Sequence, residues 1–381
     1  MKILFITRGF PSEKDPMAGN YEAVQAMAIA AKGHEVSVIA IEWDNLLHIF
    51  ESKKVVHRVV DGLNVYECKR IKPSIPHIYL PRLEQRVKQW QFRKVFLKYL
   101  AEMGMPDIVH AHIIMFAAPA IILKEEFHLP FVITEHWSRV FEQNTLKRIL
   151  NDMFAYKYAD TVISVSEALA KSIKTKCGID SLVINNMVSD RFFDSQKIVR
   201  NDNTFVFIAV GFLRQIKRFD LLVDAFALCH FPLNVRLVIV GEGKERNLIE
   251  SKIEQHGLDN QVEILGIKTP EEVNNLLCQS DCFVLSSRLE TFSIVLIEAM
   301  AKGLPVIATR CGGPETFVRK EDGLLVPKEN ADELAKAMKY MINHYQEYNA
   351  EEIRKHCYEN YSQDVIADKI ISIYKQVSNT L

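Results

Sequence analysis

Residues 281–309 read DCFVLSSRLETFSIVLIEAMAKGLPVIAT. Two short, continuous apolar runs, DCFVL at 281–285 and PVIAT at 305–309, read as strands buried on both faces. The residues between them, near 294–302, have helical length and composition. Strand, helix, strand in this order is a βαβ unit, from which parallel sheets are built. The same stretch carries two carboxylates, Glu290 ahead of the helix and Glu298 inside it. Thr291, Phe292, Ser293 and Ile294 form the helix N-terminus, where free backbone N–H groups and the helix dipole make an anion site. A diphosphate bound there would set a sugar near Glu290 and a ribose near Glu298, since carboxylates accept hydrogen bonds from hydroxyls. Spacing alone leaves an equal alternative, in which both are ordinary surface charges.

The same alternation extends in both directions. Toward the N-terminus, strands are expected at 2–7 (KILFIT), 35–41 (EVSVIAI), 107–110 (DIVH), 131–134 (FVIT) and 161–165 (TVISV), with helix-like stretches between. Residues 8–19 contain Gly9, Pro11, Pro16 and Gly19 and read as a loop; Asn20 is a candidate cap for a helix to about Lys32. Residues 195–203 are a polar break. Beyond it the pattern restarts with TFVFIAV at 204–210, VRLVIV at 235–240 and a strand at 261–265. Residues 331–381 read as helical throughout. The expectation is an α/β protein of two Rossmann-like domains, at 1–190 and 200–360, with a cleft between them and a helix at 361–381 crossing back to the first. Ligands of open parallel sheets bind beyond the carboxyl ends of the strands.

Composition narrows the class. A chain of 381 residues with a net charge of -1 and a quarter of its residues charged is an ordinary globular protein of about two domains. No apolar run reaches the roughly 20 residues that span a bilayer, and the first apolar run is too short for a signal-peptide core. Seven scattered cysteines without a C-x-x-C pair argue against zinc and for a reducing compartment, hence the cytoplasm. Gly241-Glu242-Gly243 has Arg246 where a dinucleotide fingerprint needs glycine, which excludes that oxidoreductase reading.

Charge is unevenly placed. Residues 53–98 hold twelve Lys/Arg against three acids, Asp61, Glu67 and Glu84. From Arg82 to Lys98 the cations interleave with Trp90, Phe92, Val95 and Phe96. Such a helix could lie on an anionic membrane surface, at the inner face of the membrane. With equal weight, its apolar side packs on the sheet. No recognition motif accompanies the charge, so nucleic acid is not an expected partner.

Several segments together carry a family resemblance. Glu290 and Glu298 are followed by Ala299-Met300-Ala301 and by Gly303-x-Pro305-Val306. GHEV at 33–36, PDIVHAH at 106–112 and VINNMV at 183–188 precede them, as do VGFLRQIKRFDLL at 210–222 and VGEG at 240–243. GGPE at 312–315 and GLLVP at 323–327 follow. In this order the chain resembles, over its whole length, the retaining family-4 glycosyltransferases of the GT-B fold. The resemblance implies that Glu298 binds ribose hydroxyls, Glu290 binds donor-sugar hydroxyls and Lys217 neutralises the diphosphate. His112 would contact the donor sugar near the reacting centre, and Gly19 would approach the diphosphate. The family's usual Arg after Gly211 is here Phe212, and its first loop glycine is Ala18. Of Arg214 and Arg218, Arg214 is preferred as the replacement cation. His110 either packs at its strand end or faces the site; His136, after the next strand, either lines the acceptor side or packs.

The resulting expectation is a hexosyltransferase that uses a nucleoside-diphosphate sugar, with UDP favoured over GDP, and a saccharide or lipid-linked acceptor, as in the synthesis of glycans or cell-surface polysaccharides. The resemblance implies retention at the reacting carbon. The chain has no Asp-x-Asp motif, and charge neutralisation by Lys217 is the simpler account, so no cofactor and no required metal are expected. A sugar-nucleotide epimerase and a non-catalytic sugar-nucleotide-binding protein are the alternatives.

Overall fold

A computed structural model describes residues 1–12, 15, 18–44, 55–71, 80–141, 150, 152–194 and 203–379. The polar break expected at 195–203 lies outside these residues except for Asn203. The chain divides into two compact units, Met1–Asn185 with Gln363–Leu381, and Asn186–Ser362. The sequence had set the divisions at 190–200 and 360–361.

The first unit is one eight-stranded sheet. Its strands are β1 (Lys2–Thr7), β2 (Glu35–Asp44), β3 (Val56–Val60), β4 (Leu63–Ile71), β5 (Ile108–His112), β6 (Phe131–Glu135), β7 (Thr161–Ser164) and β8 (Leu182–Val183). Their order is β3-β4-β2-β1-β5-β6-β7-β8, with every pair parallel except β3 with β4. The β3–β4 hairpin corrects the expectation of helix in that region. Asp61 and Gly62, both at positive φ (49° and 81°), make the tight turn that the Asp-Gly pair favours.

Helices α1 (Asn20–Ala31), α2 (Pro81–Met103), α3 (Ile114–Ala120), α4 (Ile122–Phe127) and α5 (Glu167–Cys177) belong to this unit. Gly19, not Asn20, is the residue that caps α1. It has left-handed φ 61°, and a Cβ there would lie 2.1 Å from the Gly9 carbonyl oxygen, so only glycine fits. Phe5, Phe92, Phe96, Tyr99 and Phe131 fill the core.

The second unit contains β9 (Phe205–Val210), β10 (Val235–Val240), β11 (Val262–Ile264), β12 (Cys282–Leu285), β13 (Val306–Thr309) and β14 (Gly323–Val326). They form an all-parallel sheet in the order β11-β10-β9-β12-β13-β14. Its helices are α6 (Arg191–Asp194), α7 (Phe219–Cys229), α8 (Arg246–Gln255), α9 (Pro270–Cys278), α10 (Ile294–Ala301), α11 (Ala331–His344) and α12 (Ala350–Tyr361). Phe207, Leu222, Phe226, Leu237, Val284, Ile307, Leu334 and Met338 form a shared core.

The last helix, α13 (Gln363–Asn379), returns to the first unit. Asp364 and Asp368 pair with Lys32, and the Tyr374 hydroxyl lies 2.6 Å from His110 Nδ1. The C-terminal region is therefore three helices broken at 345–349 and at Ser362, rather than one continuous helical stretch. Asn330 and Asn349 cap the first two through their side chains.

Each sheet reverses its winding at one point, between β1 and β5 in the first unit and between β9 and β12 in the second. The carboxyl ends flanking such a point are where α/β sheets bind ligands.

Candidate functional site

The loops after β9 and β12 flank the switch point of the second unit, and they meet. Lys217 ends a short 3-10 turn after β9. Its Nζ donates to Glu290 Oε1 at 2.6 Å, and the Ser287 hydroxyl donates to the same oxygen at 2.7 Å. The loops are also locked through their backbones. Arg288 N donates to Ile216 O at 2.8 Å, and the Ser286 hydroxyl to Lys217 O at 2.9 Å. Glu290 is held from the other side as well: its N–H donates to Cys311 O, and its carbonyl accepts from Gly313 N, both at 3.0 Å. A Cβ on Gly313 would come within 2.6 Å of the Phe292 backbone, so glycine permits this close layering. Ser287 carried no distinguishing sequence signal beyond its place at a strand end.

Glu290 leads into α10. Ser293, immediately before the helix, has φ 91°, a left-handed conformation that is costly for a residue with a Cβ. Its hydroxyl is buried and has no hydrogen-bond partner among the described residues. The Phe292 ring is fully buried against Phe317 and Tyr361, so of this residue only backbone could meet a ligand. The N-terminus of α10 therefore offers amides, an unengaged hydroxyl and a dipole suited to an anion. Glu298 sits half-buried one turn further on. Burial pushes its carboxyl up to about 7, opposed by the charge of Arg191.

The two candidate cations of the 212–218 loop are in different situations. Arg218 is held by Asp220, with Nε 3.0 Å from Oδ1, and by Glu329. Arg214 is exposed, and among the described residues its guanidinium has only the Phe212 ring, 5.1 Å from its centroid. Arg214 is thus the one of the pair with no carboxylate to give up.

At the switch point of the first unit, Gly19 follows β1 and His112 ends β5. His110 and His112 are both completely buried. His110 is bonded on both ring nitrogens, by Tyr374 Oη and Thr134 Oγ1 at 2.6 Å each, and burial lowers it to about 3. It is a neutral packing residue. His112 Nδ1 lies 3.0 Å from His136 Nε2, its ring stacks on Phe5, and its Nε2 has no partner among the described residues. Burial, then His110 and His136, hold His112 well below the usual histidine range. Glu135, the last residue of β6, is fully buried and accepts four hydrogen bonds, from Ile114 N, Tyr156 Oη, His136 N and Trp137 N, at 2.7–2.9 Å. Its role was not legible beforehand, because it depends on which strands are neighbours.

Along α2, the residues Phe92, Val95, Phe96 and Tyr99 are buried, so the apolar side does pack inward. A second, exposed stripe remains: Arg82, Arg86, Trp90, Lys94 and Leu97 lie three or four residues apart on one helix face, with exposed Leu83 beside them. Trp90 is 57% exposed, with Lys94 Nζ 3.5 Å from its ring centroid. Among the described residues no helix is long and apolar enough to cross a membrane.

Comparison with known proteins identifies the family. The family model described as Glycosyltransferase Family 4 matches residues 20–192, and that described as Glycosyl transferases group 1 matches residues 190–363. An uncharacterized glycosyltransferase of Methanocaldococcus jannaschii is 30% identical over 264 residues, covering 67% of this chain and 69% of that one. The GPI3 subunit of the Saccharomyces cerevisiae phosphatidylinositol N-acetylglucosaminyltransferase is 24% identical, covering 91% and 77%. The structure of Anabaena HepE in complex with UDP and glucose superposes with a TM-score of 0.73 at 20% identity, covering 98% of this chain and 99% of that one. Epimerase and non-catalytic readings find no support among these relatives. Two Rossmann-like units, a basic loop locked to a carboxylate at a switch point, and matches that together run from residue 20 to residue 363 make this chain a group 1, family-4 glycosyltransferase of the GT-B fold.

Proposed function

We propose that this glycosyltransferase moves a hexose from a nucleoside diphosphate, UDP rather than GDP, to a saccharide or lipid-linked acceptor, with retention of configuration. The observation that carries this reading is the Lys217–Glu290 pair beside the N-terminus of α10, at the β9/β12 switch point. The diphosphate lies against the amides at 291–294 and is neutralised by Lys217 and Arg214. Glu298 takes the ribose hydroxyls. On donor binding Lys217 exchanges its carboxylate for phosphate oxygens, and Glu290 is released to accept from the sugar hydroxyls. Preorganised cations and amides aimed at the charge that grows on the leaving group lower the barrier. This account requires no metal ion. For the first unit by itself, His112 is the proposed sugar-contacting residue and the turn at Gly19 the proposed phosphate-facing one. UDP is supported by the UDP and glucose in the HepE complex, and a lipid-linked acceptor by the phosphatidylinositol substrate named for the yeast relative. The exposed cationic stripe of α2 fits an anionic membrane surface, where such an acceptor would reside.

A calorimetric and thermal-shift screen with UDP, GDP, ADP and their sugar conjugates, with and without EDTA, tests the reading. Ligand at a hundred times its Kd stabilises the fold by about 2.7 kcal/mol. Selective stabilisation by UDP and a UDP-sugar that survives EDTA is the expected result. A response to GDP alone overturns the base assignment, and one lost with EDTA overturns the metal-free account.

A further inference from the structure

We infer that Glu135 and His136 are positioning residues for His112, and that the hydrogen bond between the two rings couples the tautomer of His112 to that of His136. His112 and Thr134 are register partners at the ends of β5 and β6. His136 follows two residues after Thr134, on the same side of the strand pair by alternation. The two imidazoles lie nearly in one plane, at 17°, with His112 Nδ1 and His136 Nε2 3.0 Å apart. One hydrogen is shared along that line, so whichever ring donates it, the state of the remaining nitrogen of His112 is decided. That nitrogen, Nε2, is buried and has no partner among the described residues. It is the ring nitrogen that the proposed sugar contact would use, as a donor or as an acceptor.

The alignment is held by Glu135. Its Oε2 accepts from Ile114 N at 2.9 Å and its Oε1 from His136 N and Trp137 N at 2.9 and 2.8 Å. One buried carboxylate thus ties the chain leaving β5, two residues past His112, to the chain leaving β6. Ile113 between them adopts φ 66°, and its N–H donates to Thr134 O at 2.9 Å. A non-glycine residue in that conformation persists only where its surroundings over-determine it. Tyr156 donates its hydroxyl to Glu135 Oε2 at 2.7 Å and completes the clamp. Phe5 stacks on the His112 ring, with centroids 5.0 Å apart and planes at 24°.

The catalytic consequence rests on the proposed contact of His112 with the donor sugar; the tautomer itself does not, and can be read in ligand-free protein. Long-range 15N–1H NMR of histidine-labelled full-length protein, with the His112 signals assigned by their loss in His112→Gln, should show one protonated and one bare nitrogen for His112. His136→Leu should replace this with averaged tautomers, His136→Gln, which keeps a bonding partner, should restore most of the separation, and Glu135→Gln should blur it by loosening both segments. Hydrolysis of UDP-glucose and UDP-N-acetylglucosamine should fall about 10–100-fold in His136→Leu, the usual scale for a group that orients another. Unchanged His112 signals in a folded His136→Leu protein overturn the inference. If the signals change as stated while His112→Ala hydrolyses donor normally, the pairing stands and the fault lies in the sugar-contact reading.

Discussion

Lys217 and Glu290, 73 residues apart in the chain, share a hydrogen-bonded ion pair of 2.6 Å. In the ligand-free protein the candidate phosphate cation and the candidate sugar-binding carboxylate therefore neutralise each other. Lys217→Ala should cut donor turnover about 100–1000-fold, the scale of removing one preorganised charge stabiliser. It should also cost about 1–2 kcal/mol of stability, because among the described residues the Glu290 carboxylate keeps only the Ser287 hydroxyl. Lys217→Arg should recover much of the stability. Turnover assays and denaturant unfolding check both parts; normal turnover in Lys217→Ala would remove this residue from the site.

Glu298 should make stability depend on pH in an uncommon direction. Burial raises its folded value to about 7 from an ordinary 4.5. Between those values the folded state holds a proton that the unfolded chain releases, so this group's cost grows as pH rises and is complete above about 7. Glu298→Gln should then raise the thermal midpoint at pH 8 and change it little at pH 4, while abolishing stabilisation by a nucleoside diphosphate. An equal shift at both pH values would contradict the buried carboxyl.

Arg214 and Arg218 should separate cleanly. Arg218 is committed to Asp220 and Glu329, whereas Arg214 meets only the Phe212 ring among the described residues. Arg214→Ala should weaken diphosphate binding about 10–100-fold with the melting temperature unchanged, since a charge-assisted hydrogen bond is worth roughly 1.5–3 kcal/mol. Arg218→Ala should lower the melting temperature. Calorimetry that shows the reverse pattern would transfer the cation role to Arg218.

Two glycines offer a matched comparison. Both Gly19 and Gly33 have left-handed φ, 61° and 84°, but only Gly19 faces backbone, with the Gly9 carbonyl oxygen 2.1 Å from an added Cβ; nothing lies within 4 Å at Gly33. Gly33→Ala should cost about 1–2 kcal/mol from conformation alone. Gly19→Ala should cost more and should also weaken nucleotide binding if its loop approaches the diphosphate. Equal unfolding midpoints for the two variants would refute the distinction.

The α2 stripe should govern membrane affinity. Replacing Arg82, Arg86 and Lys94 with Gln should weaken binding to phosphatidylglycerol vesicles by about 1 kcal/mol per cation, with the fold intact because all three are exposed. Trp90→Ala should weaken it further. Vesicle co-sedimentation that is unchanged in the triple variant would reject the surface.

The alternation of apolar runs, the loop glycines and the ordered motifs were legible in the chain because each depends on neighbours within a few residues. Period and propensity report burial, and Glu290 and Glu298 stand out by their offset around a helix start. The β3–β4 hairpin was also written locally, in Asp61-Gly62, but helix-like length around it obscured the signal. Which face of α2 packs and which stays exposed needed the sheet beneath it, since Phe92 and Trp90 look equally apolar in a list.

The remaining relationships belong to the fold. Lys217 reaches Glu290 because β9 and β12 are neighbours with reversed winding beside them, and Glu135 joins two strand exits because β5 and β6 are adjacent. The choice of Arg214 over Arg218 turns on Asp220 and on Glu329, a carboxylate more than a hundred residues away. Strand order is set by the packing of whole faces, not by any window of residues, so the chain alone offered the candidate side chains while only their assembly showed which charges face one another.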